Sequence, residues 1–167
     1  MEKESIRKEC RPKWIEAGYK YIGVHEIKGE QHHPNILQWW KDIKRGGIRD
    51  DETPWCAAYV GAMFEHVGIC SSRFESAKSY LEWGIPLKEP HYGCVAVFTR
   101  VGGGHVGFVV GVAENSDLMV LGGNQSDEVN IRAFPRSRVS GYRWPSNEPI
   151  NNKLLSLMAG SHSECEE

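Results

Sequence analysis

The stretch Thr53-Pro54-Trp55-Cys56-Ala57-Ala58-Tyr59-Val60-Gly61-Ala62-Met63-Phe64-Glu65-His66 decides how the rest of the chain is read. Thr53 suits an N-cap, and Pro54 suits the first helical position, where a missing N–H loses no hydrogen bond. Trp55, Tyr59, Ala62, Met63 and His66 then recur at i, i+4, i+7, i+8 and i+11, the spacing of one buried helical stripe. Gly68 ends the helix. On this frame Cys56 stands third in its helix, where free N–H groups and the positive end of the helix dipole favour an anion. A thiol so placed has a lowered pKa, which is what a nucleophilic cysteine needs. The bland alternative is a small thiol packed in the core.

Upstream of this helix the chain also reads helical. Pro12 opens a first helix carrying Trp14, Ala17, Gly18 and Tyr21, stopped by Gly23. A second helix over 36–44 places Ile36, Leu37, Trp40 and Ile43 on one face and ends at Gly46-Gly47. A short helix over 75–83 ends at Gly84. After Pro90 the pattern changes to short apolar runs over 94–98, 105–110, 118–121, 129–134 and 141–144, with a turn over 101–104. Runs of this length between glycine turns predict an antiparallel sheet or half-barrel. Helices first and strands second make the chain α+β.

With 167 residues the chain is long enough for one domain with a full core. That domain is expected over 10–145. A polar tail follows over 146–167, with a short helix expected over 153–159. Six Trp and 18 Gly suggest many rings and tight turns, as in a β-rich domain with a grooved surface. No apolar run of about 20 residues exists, which excludes a spanning helix. Twenty basic against 22 acidic side chains argue against a nucleic-acid partner, which would call for a basic excess. The first 15 residues are charged and lack the apolar centre of a secretory signal, so the chain is expected to be made in the cytosol. Cys10, Cys56, Cys70, Cys94 and Cys165 are odd in number and irregular in spacing, unlike a disulfide framework. They contain no C-x-x-C pair, so no structural zinc is expected.

His105 opens a strand directly after three glycines, a setting that presents an imidazole at a sheet edge. It is the candidate general base for Cys56, against the alternative of a surface histidine at a turn. The other six histidines have no comparable setting, and His32-His33 is expected to face solvent. A third polar group should orient the base. Asn124, after Leu121-Gly122-Gly123, can accept a hydrogen bond from the ring, although a turn asparagine fits its position equally. Gln125 alongside can do the same, or donate to an oxyanion.

Three segments carry a resemblance. Asp51-Glu52-Thr53-Pro54-Trp55-Cys56-Ala57-Ala58-Tyr59-Val60 resembles the nucleophile helix of NlpC-type and CHAP-like peptidoglycan hydrolases. Gly104-His105-Val106-Gly107-Phe108-Val109-Val110-Gly111 resembles their histidine strand. Leu121-Gly122-Gly123-Asn124-Gln125-Ser126, with Gly141-Tyr142-Arg143-Trp144-Pro145, is similar to a phage-associated subfamily. The resemblance covers about residues 12–145.

It implies a papain-like fold with Cys56 as nucleophile, His105 as base and Asn124 as orienting residue. It also implies peptidoglycan as the partner, with a stem-peptide or sugar–L-alanine amide as the bond cleaved. Trp55, with Trp144, is expected to wall the substrate groove, and Gln125 to contact substrate. Asp51, in the run Asp50-Asp51-Glu52, is expected to be solvated or to meet substrate amines. These acids lack the regular oxygen spacing of a calcium loop, so no metal or other cofactor is expected. The same resemblance places a monomer at the cell wall after release by a holin or a secretion system, without stable membrane insertion. An acyltransferase or deamidating toxin with the same residues, and a non-catalytic wall-binding module, are the alternatives.

Overall fold

Three helices precede the sheet, and each begins where the local chemistry supplies a start. The structure is a computed structural model describing residues 11–29, 31–51, 53–100, 103–150 and 155. Helix α1 (Lys13–Tyr19) follows Pro12, as expected. Helix α2 (Pro34–Asp42) starts two residues before its apolar spacing suggests. The reason is a cap: Nδ1 of His33 accepts from the Asn35 N–H (3.1 Å), with Pro34 in the first turn. Burial and neighbouring His25, against the pull of Asp51, hold the His33 ring below its ordinary pKa, which keeps Nδ1 an acceptor. His33 is therefore a structural cap, not the solvent-facing residue expected.

Helix α3 (Cys56–His66) differs from its sequence reading in two ways. It begins at Cys56, because the Asp50 carboxylate takes the Thr53 N–H (2.6 Å) and closes a turn before the helix. The first helical bond runs from Tyr59 N–H to Trp55 C=O (3.0 Å), so Trp55 is the cap residue and Cys56 the first residue of the helix. It is also buried on every side from Cys56 to Phe64, not along one stripe. His66 at its end bonds Asp42 Oδ2 (2.8 Å).

Total burial follows from position. Trp39 of α2 packs on Trp55 (5.8 Å between centroids) and Tyr59 (5.3 Å), while Phe108 from the sheet packs on Tyr59 (6.2 Å) and Phe64 (5.5 Å). The Tyr59 hydroxyl donates to the Gly18 carbonyl of α1 (2.9 Å). Each such ring contributes roughly 1.5–3 kcal/mol by leaving water, so this helix is the hub of the core. Close approach needs Gly61, where a Cβ would sit 2.5 Å from Ile43 Cγ2.

Six strands form one antiparallel sheet: β1 (Ile85–Leu87), β2 (Val95–Arg100), β3 (Gly103–Val112), β4 (Leu118–Gly122), β5 (Asn130–Phe134) and β6 (Val139–Trp144), in the order β1-β6-β2-β3-β4-β5. Five of them match the apolar runs. Strand β1 was not foreseen, because three residues containing Pro86 carry too little pattern; it pairs at an edge, where proline is tolerated. The helix expected over 75–83 is a 3₁₀ helix, Ala77–Glu82, started by Ser76, whose side chain accepts from Lys78 N–H. Trp144, expected at a groove, is 1% exposed and packs edge-on against Trp14 (5.2 Å). The tail helix expected over 153–159 lies, apart from Leu155, outside the described residues. Among the described residues no helix is long and apolar enough to cross a membrane.

Candidate active site

His105 is the third residue of β3 and pairs in register with Phe98 of β2. Its ring stacks on Phe134 of β5 (5.3 Å, 14° between planes) and leans on Phe98 (6.1 Å). Two aromatic neighbours fix the ring plane, and burial to 5% exposure shields it from solvent. Its Nε2 meets Gln125 Oε1 at 2.9 Å.

The polarity of that bond is settled by the far end of the glutamine. Gln125 Nε2 faces three acceptors: the Val120 carbonyl (3.1 Å), the Asn130 carbonyl (3.0 Å) and Asn130 Oδ1 (2.9 Å). The amide nitrogen must donate there, so the oxygen faces the ring. An acceptor on Nε2 requires Nε2 to carry the proton, which leaves Nδ1 as the basic nitrogen. Gly122 makes room for this pair: a Cβ there would collide with Gln125 Oε1 and lie 3.4 Å from His105 Nε2.

The next residue packs against the turn that bears Cys56. A Cβ on Gly123 would lie 2.7 Å from both the Trp55 ring and Tyr59 Cβ. Trp55 immediately precedes Cys56, and Tyr59 lies on the same first turn of α3. Of two consecutive glycines at the end of β4, one thus lies against the His105–Gln125 pair and the next against the turn that bears Cys56. Cys56 is 4% exposed. As the first helical residue, it has a backbone N–H without an intrahelical acceptor. Cys94, by contrast, lies in the core, where burial pushes its thiol up to about 12 and leaves it inert as a nucleophile. Cys70 is exposed on the loop after α3.

Other expectations are redistributed. Gln125, not Asn124, is the residue on the histidine ring. Asn124 sits in the left-handed region (φ 57°); one end of its amide faces two acceptors, Glu26 Oε1 (3.1 Å) and Asp127 Oδ1 (3.3 Å), which assigns the donating nitrogen to that end. The reason is the turn: its backbone direction points the residue-124 side chain at the N-terminal segment and the next one at the sheet. Trp55 is fully buried, with Nε1 donating to Glu26 Oε1 (2.8 Å), so it is a core ring and not a groove wall. Glu26 and Phe134 were missed by the sequence reading, since a lone acid in a loop and a strand phenylalanine carry no local signal.

Asp51 is neither solvated nor open to substrate. It is fully buried, and its carboxylate takes the Ile27 N–H (2.8 Å), the His33 N–H (3.0 Å) and His32 Nδ1 (3.0 Å). Burial alone would raise its carboxyl, but these bonds, led by His32, hold it below the ordinary carboxylate range. Asp51 therefore ties the 27–33 loop to the segment that leads into Cys56. Asp51→Asn puts an amide NH₂ against a donor and is expected to cost about 2–3 kcal/mol, or about 4–12 °C in Tm. A carboxyl depressed by folding stabilises above its unfolded pKa, about 4, and ceases to do so as pH falls through the folded value. The Tm gap between wild type and Asp51→Asn should therefore hold from pH 5 to 8 and shrink below about pH 4. A gap that widens in acid would contradict this assignment.

The comparisons agree with the fold. Residues 48–124 match the family model of the CHAP domain, a span that includes Cys56 and His105. The crystal structure of the P60 domain from an antigen of M. avium subspecies paratuberculosis is similar in fold, with a TM-score of 0.51 and 15% identity over 85% of this chain and 98% of that one. Comparison with curated proteins gives no match. The chain therefore has an α+β, papain-like fold, with residues 48–124 similar to the CHAP domain.

Proposed function

We propose that this domain cleaves an amide bond of the peptidoglycan stem by a thiol mechanism, as an N-acetylmuramoyl-L-alanine amidase or a stem-peptide endopeptidase. The observation that carries the reading is the buried His105–Gln125 bond, with Gly122 and Gly123 linking it to the helix start that bears Cys56. Cys56 is the nucleophile, His105 the base through Nδ1, and Gln125 the residue that keeps the proton on Nε2. The thiol proton passes to Nδ1, and the sulfur attacks the amide carbonyl. The Cys56 backbone N–H is placed to hold the oxyanion. The tetrahedral adduct collapses as the imidazolium protonates the leaving amine, which leaves a thioester. Water, deprotonated by His105, then hydrolyses the thioester and restores the thiol. The biological setting we assign is lysis by a phage, supported by the resemblance of 121–126 and 141–145.

Digestion of purified sacculi followed by mass spectrometry of the fragments tests this. Each cut should add one water and expose a new amine, at L-alanine for an amidase or within the stem for an endopeptidase. Fragments joined to a new acceptor amine would instead mark a transferase. Sacculi left intact by the folded protein would remove the hydrolytic reading.

A further inference from the structure

The turn that carries Gln125 is unusual in its backbone. Asn124, Ser126 and Asp127 have φ of 57°, 56° and 61°, three non-glycine residues in the left-handed region within four positions. Such conformations persist only where their surroundings over-determine them. Inside the sheet the turn is held by Gln125 N–H to Glu128 C=O (3.0 Å) and by Asn130 Nδ2 to Gln125 C=O (2.9 Å). On its outer side the fastening comes from Glu26. The Glu26 N–H donates to Asp127 C=O (3.0 Å), and with the Asn124 amide nitrogen assigned to the end that faces acceptors, Glu26 Oε1 accepts from it (3.1 Å). The same Oε1 accepts from Trp55 Nε1 (2.8 Å).

One carboxylate thus grips the residue before the nucleophile and the residue before the histidine's partner. We infer that Glu26 is a positioning residue that locks the Cys56 helix start to the Gln125 turn and so sets the spacing between thiol and imidazole. The inference rests on the thiol mechanism proposed above. Neither contact touches a reacting atom, so Glu26 acts only through Trp55 and Asn124. Its backbone is anchored independently: Val129 N–H donates to Val24 C=O (2.8 Å), and His25 bridges to Glu128. Loss of the carboxylate therefore loosens the register of the two turns without releasing the segment that carries it.

The test is kcat and KM on purified peptidoglycan fragments, with folded sites counted by alkylation of Cys56. Glu26→Ala should lower kcat per titrated site by about 10- to 100-fold, the usual cost of losing an outer-shell partner, with KM within about twofold. Glu26→Gln keeps an Oε1 acceptor for both Trp55 Nε1 and the Asn124 amide nitrogen. It should recover to within about threefold of wild type. Asn124→Gly preserves the left-handed turn and removes one contact. It should lose about three- to tenfold, and adding it to Glu26→Ala should cost nothing further, because both cut one link. Wild-type kcat per site in Glu26→Ala, or in Asn124→Gly should the former not fold, overturns the clamp. So does Glu26→Gln falling as far as alanine. Failure of the wild type itself to hydrolyse the fragments would instead overturn the thiol mechanism, and the clamp with it.

Discussion

Replacement of Cys56 by alanine is expected to abolish release of stem-peptide fragments while leaving the fold and Tm close to wild type. The side chain is small and sits at the edge of the core, 4% exposed, so its loss opens little cavity. Chemically the loss is complete, because no other described cysteine can substitute. Cys94 is buried with its thiol pushed up to about 12, and Cys70 lies on the loop after α3, at the far end of that helix from Cys56. Removing a nucleophile typically leaves only the residual help of binding and the oxyanion donors, orders of magnitude below the intact site. The measurement is the initial rate of fragment release by mass spectrometry, paired with a melting curve. Cys70→Ser should keep full activity, whereas Cys94→Ser places a hydroxyl in the core and is expected to lower Tm. Wild-type hydrolysis by Cys56→Ala would end the thiol mechanism.

The second large effect separates the base from the group that orients it. His105→Ala removes the proposed proton acceptor and should lower kcat/KM by at least about 10²- to 10⁴-fold. Gln125→Ala leaves the imidazole between Phe98 and Phe134 but frees its tautomer. A cost of about 10- to 100-fold is expected, smaller than loss of the ring itself. Some stability goes too, since Val120 and Asn130 lose the donor they share. Rates are therefore to be compared per alkylated site. Gln125→Glu keeps an acceptor on Nε2 and adds a negative charge, which favours imidazolium and should move the acidic limb of the kcat/KM profile to higher pH. Full activity in Gln125→Ala would show that the ring needs no partner on Nε2. A larger loss in Asn124→Gly than in Gln125→Ala would return the orienting role to residue 124.

Much of this protein was open to reading before any fold was known. The helical cysteine after Pro54, the histidine after three glycines and the glycine pair before the third polar residue each sit in local patterns, and local patterns survive in a linear chain. The same holds for the five strands with continuous apolar runs and for the order of helices before strands. What escaped depends on contacts between distant segments. Whether residue 124 or 125 faces the ring turns on the φ of three left-handed residues, and adjacent polar residues look alike until that turn is built. Asp51 resembles a surface acid until the 27–33 loop folds over it with three donors. Trp55 resembles a groove wall until Trp39 and Glu26 cover it. The fold class and the candidate residues for the chemistry were legible in the linear chain, because spacing and residue type are local properties. The tertiary structure alone decided which of those residues are buried scaffold and which share the histidine's proton, because burial and hydrogen-bond direction exist only once remote segments meet.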